Sequence, residues 1–346
     1  MGKVKRFVFV AAMSGILALA GCNIWPGSSE TEDNPEGGET QPLKVAATLF
    51  PYYDFTRQIA GNMIDLELIV PAGMDSHSFE PTPADMKKIQ EADVVICNGG
   101  AMEHWVGQVL DAVDQSGITV VTMMDYADAV EEERVEGMEE QSSHDHEKHG
   151  RSSVDNSEVF HDHDGYEDEI EYDEHIWTSP VHAVKFTEVI AQVLAEKDPD
   201  HQKEYQERKE RYQDQLMELH QEFIQVADNR KRNLIVVGNK FPFRYLADEY
   251  GFEYRAAFTG CSTDTEPSAR TIAYLIDKVR EEQIPVVYYL ELSSSRVAEI
   301  IGEETGARPL LLHSCHNVTR REFEQGITYV DLMKQNVENL RKGLDE

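Results

Sequence analysis

Four histidines stand where their imidazoles could share one cation. His77 lies in "PAGMDSHSFEP", directly after the apolar run "DLELIV". His313 and His316 lie in "LLHSCHNV", at the end of the run "RPLLLH". His175 precedes "IWTSP", where Ser179 and Pro180 have the form of a helix start. Neutral imidazole suits Zn2+, Cu2+ and related borderline ions, and suits Mg2+ or Ca2+ poorly. Three or four imidazoles with few carboxylates therefore point to zinc before manganese. A single histidine after a strand is more often a surface or capping residue. Joint placement in several loops is what argues for a site.

Five other histidines behave differently on paper. His144, His146, His149, His161 and His163 fall in "SSHDHEKHGRSSVDNSEVFHDHDG", among serines, glycines and carboxylates. No apolar period runs through residues 136–168, so this stretch is expected to be a solvated loop. Ligands on such a chain lose conformational entropy when they converge, so each binds weakly. An accessory loop that raises the metal concentration near a tight site is the function they suit. His175 is followed at once by Ile176, Trp177 and a helix start, so packing can fix it.

The elements that must hold these loops alternate. "LKVAAT" (43–48), "DLELIV" (65–70), "DVVIC" (93–97) and "ITVVTM" (118–123) read as strands, with helical stretches from near Tyr52, after Thr82 and over 101–115. Thr82, Pro83 and Asp85 have the N-cap, N1 and N3 chemistry of a helix start. The series restarts with strands at 234–238, 254–258, 285–290 and 308–313, separated by helices near 242–250, 267–282 and 293–305 and closed by one at 328–344. Such alternation predicts an α/β fold of two lobes with parallel sheets, whose ligands bind beyond the carboxyl ends of the strands. Between the lobes, residues 200–228 contain no Gly or Pro and carry Tyr205, Tyr212, Leu216, Leu219, Phe223 and Val226 on one helical stripe. The expected organisation is a metal-binding N-terminal lobe over 43–199 (with the acidic loop at about 131–170), a rigid linker helix over 200–229 and a C-terminal lobe over 230–346.

The chain has 346 residues and a formal net charge of −33. That charge excludes nucleic acid as a partner and favours cations. Residues 131–174 hold eighteen Asp/Glu against three Lys/Arg, about half of the excess. At the N-terminus, basic "MGKVKR" is followed by an apolar run too short to span a bilayer comfortably and then by "LAGC". This reads as a lipoprotein signal over 1–22, with Cys22 as the lipidated residue and 23–42 as a flexible tether. The expectation is a monomer outside the cytoplasm, anchored to the membrane through Cys22. Cys97 reads as a core residue. Cys261 and Cys315 both follow strands, and in an oxidising compartment a disulfide between them is expected, with metal ligation as the alternative.

These residues resemble a known family, the zinc/manganese substrate-binding lipoproteins of bacterial ABC importers that carry a His-rich acidic loop. The likeness rests on "GMDSHSFEPTPADMKKIQEADVVICNGG", "YDEHIWTSP", the long helix, "FRYLADEYGF", "TEPSARTIAYLIDKV" and "SSSRVAEIIGEETGA", and it runs from about residue 43 to 344. It implies one metal ion between two lobes, capture outside the membrane and delivery to an ABC permease. The family's first two histidines fall on His77 and His175. A third belongs just before "FRYL", where this chain has Asn239 and Lys240 instead. The family's aspartate after the last strand falls on His313, with His316 three residues on. The fourth ligand is open among His316, Asn239, a water and a cysteine.

The reading is of a binding protein and not an enzyme. No H-E-x-x-H occurs, and Glu80 is the one candidate base near a ligand. Its rivals are a metal-buffering, adhesin-type surface lipoprotein and a three-histidine zinc hydrolase.

Overall fold

The computed structural model describes residues 41–139, 171–262 and 266–345. Cys22 and His144, His146, His149, His161 and His163 lie outside them. Among the described residues, the β-branched runs become eight strands in two sheets. β1 (Leu43–Ala47), β2 (Ile64–Leu68), β3 (Val94–Cys97) and β4 (Thr119–Thr122) form one, in the order β2-β1-β3-β4. β5 (Leu234–Phe241), β6 (Glu253–Thr259), β7 (Val286–Tyr289) and β8 (Arg308–Leu311) form the other, in the order β6-β5-β7-β8. Every pairing is parallel. Both sheets are wound the same way. The first strand lies inside, the second goes to one side and the third to the other. Each sheet therefore has a switch point, between β1 and β3 and between β5 and β7, where a crevice opens at the strand ends.

Ten α-helices connect and cover these strands among the described residues: α1 (Phe50–Ala60), α2 (Pro83–Gln90), α3 (His104–Ala112), α4 (Pro180–Lys197), α5 (Gln202–Asn229), α6 (Arg244–Tyr250), α7 (Ala269–Glu281), α8 (Arg296–Thr305), α9 (Arg320–Glu324) and α10 (Tyr329–Leu344). The start of α2 is a reciprocal capping box between Thr82 and Asp85, with Pro83 at the first helical position. Short α9 has no apolar period to announce it. Its start is another capping box, Thr319 with Glu322.

Helix α5 is 28 residues long, about 42 Å at 1.5 Å per residue. The stripe Tyr205, Tyr212, Leu216, Leu219, Phe223 and Val226 is fully turned inward, against α1, α4 and α10. Each of those side chains contributes about 1.5–3 kcal/mol by leaving water. Lys209 is buried on the same face, with Nζ 2.6 Å from Glu188 of α4.

One core runs through both sheets. It joins β1 and β3, α1, α4, α5 and α10, and then the inner face of the second sheet at Ile235, Val237, Val286 and Tyr288. The outer face of that sheet packs separately on α7 and α8 through Val236, Val287, Leu275 and Ile301. A buried polar pin crosses the molecule. Asp54 of α1 accepts the Tyr329 N–H of α10 at 2.7 Å and the Arg57 guanidinium, while Arg57 donates to the Ile327 carbonyl at 2.8 Å. No helix among the described residues is long and apolar enough to cross a membrane.

Candidate metal centre

Two of the histidines are mounted on one local device. In Asp75-Ser76-His77 and in Asp173-Glu174-His175, the aspartate Oδ1 accepts the histidine N–H at 2.8 Å. This is the Asx turn, in which a short carboxylate stands in for a backbone acceptor two residues back. Asp173 does more. Its Oδ1 also lies 3.0 Å from His175 Nδ1, which keeps the proton there and leaves the Nε2 lone pair for a cation. The Asp173 carbonyl accepts the Tyr245 hydroxyl at 2.6 Å, and its N–H donates to the Val130 carbonyl at 2.9 Å. Gly260, at the end of β6, closes over this turn. A Cβ there would stand 3.1 Å from both Asp173 Oδ2 and His175 Nδ1. Glu174 faces the other way and accepts the N–H groups of Ala101 and Met102.

The loop after β8 is built around Ser314. Its N–H donates to Glu291 Oε2 at 2.8 Å, its hydroxyl donates to Glu291 Oε1, and its carbonyl accepts the Trp177 indole N–H at 2.8 Å. Trp177 then stacks on the His316 ring, with centroids 5.8 Å apart and planes at 19°. The His316 N–H reaches back to Ser314 Oγ, and its Nε2 is hydrogen-bonded to the Ser76 hydroxyl. Backbone contacts stitch this loop to the His77 loop. Gly73 N–H donates to the Val318 carbonyl at 2.7 Å, and Asn317 Nδ2 donates to the carbonyls of Pro71 and Met74, each at 2.8 Å.

Three imidazoles meet as a result. Ring centroids lie 5.7 Å apart for His77–His175, 5.5 Å for His77–His316 and 6.4 Å for His175–His316. One ligand atom each from Asp75, His77 and His316 fall within 4.8 Å of one another. All four residues line a cavity of about 300 Å3 between the sheets, together with Asn239, Lys240, Gly260, Glu266, Glu291 and Ser314. Burial, His175 and Lys240 lower the His77 pKa to about 3. Burial, then His77, hold His316 well below the ordinary imidazole value, although Asp75 pulls it up. Both rings are thus neutral at pH 7, the protonation state a metal requires.

His313 does not join them, which corrects the expectation that it takes the carboxylate's place. It is buried at 1% exposure and does not line the cavity. Its Nδ1 accepts the Cys315 N–H at 2.9 Å, and its backbone N–H and carbonyl are both bonded to the Asn336 side chain at 2.7 Å. The expected disulfide is also corrected. Cys261 and Cys315 are free thiols in separate surroundings. Cys261 lies in the field of Asp173 and Glu132, and Cys315 in that of Glu291 and Asp54. Burial raises both thiols, and neither lines the cavity that the histidines share.

Asn239 and Lys240 both line the cavity, and the Lys240 charge is felt at His77 and His316. Asp75, Asp173 and Glu291 escaped the reading of the sequence, whereas Trp177 packs on His175 as expected, with ring centroids 5.4 Å apart. The repeated D-x-H spacing in "DSH" and "DEH" is a signal that could have found the two aspartates.

The profile of the family described as "Zinc-uptake complex component A periplasmic" (ZnuA) matches residues 45–343. The chain is 30% identical over 334 residues to the high-affinity zinc uptake system protein ZnuA of Bacillus subtilis (strain 168), covering 96% of this chain and 97% of that protein. It is 30% identical over 304 residues to the zinc-binding lipoprotein AdcA of Streptococcus pneumoniae, covering 88% of this chain but only 56% of that longer protein. Among solved structures, the metal-dependent lipoprotein YcdH from Bacillus subtilis superposes with a TM-score of 0.69 at 29% identity, over 88% of this chain and all of that one.

Proposed function

The chain belongs to the ZnuA family of zinc-uptake components, and from that premise we propose that it is an extracytoplasmic receptor that captures one Zn2+ ion through His77, His175 and His316 and delivers it to an ABC import permease. The observation that carries this reading is the meeting of three imidazoles from three distant loops, with ring centroids 5.5–6.4 Å from one another. Zinc is the expected cargo because the donor set is rich in nitrogen and poor in oxygen, with Asp75 the nearest carboxylate. Mn2+ would prefer the reverse. The family is one of uptake components and not of enzymes, and the metal here is cargo.

Delivery requires the ligand loops to separate. The shared core, the Asp54 pin and the stitched loops favour a small tilt of one sheet against the other over a wide hinge. His144, His146, His149, His161 and His163 suit the accessory capture role, Cys22 suits lipid anchoring, and the chain is taken to act as a monomer. Calorimetric titration should give one tight Zn2+ site that survives deletion of residues 142–168, with Mn2+ bound at least about tenfold more weakly. Cells lacking the protein should stop growing when zinc is chelated and recover when it is restored. Unimpaired growth under chelation, or metal lost entirely with the deleted loop, would sink the receptor.

A further inference from the structure

The two residues in front of His175 are gripped from opposite sides. Glu174 is tied to the first sheet. Its carboxylate takes the N–H groups of Ala101 and Met102, and its carbonyl accepts Asn98 Nδ2 at 3.0 Å, all from the loop after β3. Asp173 is tied to the second sheet. The Tyr245 hydroxyl of α6 donates to its carbonyl at 2.6 Å, and Gly260 at the end of β6 lies over its carboxylate.

The Tyr245 hydroxyl occupies an unusual place. Facing residues of an antiparallel pair can exchange two N–H···O bonds. Glu131 and Tyr172 form an antiparallel bridge, and Glu132 N–H donates to the Glu171 carbonyl at 2.9 Å on one side of it. On the other side Val130 faces Asp173. One of their two bonds is present, from Asp173 N–H to the Val130 carbonyl at 2.9 Å. The other is interrupted by the hydroxyl. Val130 N–H donates to it at 3.2 Å, and it donates on to the Asp173 carbonyl. Tyr245 is buried, and its ring packs on His182 with centroids 5.3 Å apart, while His182 Nδ1 donates to the Ile176 carbonyl at 3.0 Å. The hydroxyl is therefore held in place on both sides of the His175 segment.

What the Asp173 carbonyl controls gives these bonds a consequence. A peptide unit is planar, so the direction of that carbonyl fixes the first peptide of the turn that ends at His175. The Asp173 carboxylate then takes both the His175 backbone N–H and Nδ1 with one oxygen. We propose that Tyr245 is a positioning residue of the zinc site, whose hydroxyl reaches from the second sheet, sets the Asp173 turn and so aims His175 Nε2 at the metal. Tyr245 acts through His175 and touches no metal itself. This rests on the receptor reading and adds a residue to its site. It also means that a tilt of the second sheet is transmitted to a ligand that the chain order assigns to the first.

A double-mutant cycle on the purified protein tests this, with Zn2+ affinity read by chelator competition. Tyr245→Phe should weaken zinc binding by at least about fivefold, near the low end for a group that orients a ligand. In a His175→Ala background the same substitution should cost less than about twofold, because a positioning role vanishes with the ligand it positions. Tyr254→Phe is the control. It removes a hydroxyl bonded to Glu133 of the same segment at 3.1 Å and should leave zinc affinity unchanged. Nitrogen NMR of the His175 ring in the metal-free protein adds a readout that lost stability alone would not move. The wild type should hold its proton on Nδ1, and Tyr245→Phe should populate both tautomers. Equal losses in the two backgrounds overturn the positioning role, as does a Tyr245→Phe protein with wild-type affinity and a single tautomer, and either result leaves the receptor standing. A wild-type protein that binds no zinc overturns the receptor itself.

Discussion

The loop 75–77 and the loop 313–316 solve the same problem with different side chains. In the first, Asp75 accepts a backbone N–H two residues on and so presents His77. In the second, His313 Nδ1 accepts the Cys315 N–H two residues on, and the residue presented to the cleft is His316. The loop at 173–175 repeats the first solution with Asp173 and His175. An imidazole therefore does the work of a carboxylate in one loop out of three. The lesson is that a histidine at a strand end can be the bracket and not the ligand, and its type alone does not say which.

The comparison can be broken by mutation, and the largest effect should come from the ligands themselves. His175→Ala should lower zinc affinity well beyond the ~10–100-fold typical of losing an outer-shell partner, whereas His146→Ala, in the proposed accessory stretch, should change it by less than about threefold. Chelator competition at fixed pH measures both. Equal losses would end the distinction between a ligand in the cavity and a member of the proposed accessory stretch.

Next in size is the contrast inside one loop. His316→Ala should cost at least about 100-fold, while His313→Asn should stay within about tenfold. Asparagine can still accept the Cys315 N–H, as aspartate does in the other loops. If the two variants lose equal affinity, His313 is more than a bracket. Asp173→Asn should fall between them, at about 10–100-fold, since it removes the carboxylate that fixes the His175 tautomer.

The smallest and sharpest effect concerns protons. Three ordinary imidazoles, with pKa about 6.5, would be mostly protonated at pH 5.5 and would release nearly three protons per ion bound. His77, lowered to about 3, and His316, held well below its ordinary value, are already neutral there. Release at pH 5.5 should therefore fall well short of three protons, read from calorimetric enthalpies in buffers of different ionisation heat. The sign follows from the depressed values. His77 and His316 therefore take no affinity away as pH falls through 6.5, and their share is lost only at lower pH, as those two rings begin to protonate. A release near three would mean that the cavity admits water freely to both.

Much of the fold was legible because its signals are local. Strand and helix positions follow from β-branched runs, the Thr82 capping box and the apolar stripe of α5, each readable within one continuous segment. Helix α9 escaped because five residues carry no period. The site was legible in part. His77 and His175 announce themselves by loop position and flanking sequence. His316 could not be told from His313, since both follow the same strand three residues apart.

What the sequence determined by itself was the alternation of elements, the acidic charge and the supply of neutral nitrogen donors. Those are properties of residue types and short spacings. Only the tertiary structure decided which imidazoles share a cavity, that Cys261 and Cys315 stay apart, and that one core spans both sheets. Such outcomes depend on contacts between segments more than a hundred residues distant, as when Trp177 bonds Ser314 and Asn317 bonds Pro71. No local pattern encodes them, because the partner of each group is chosen by packing and not by its neighbours in the chain.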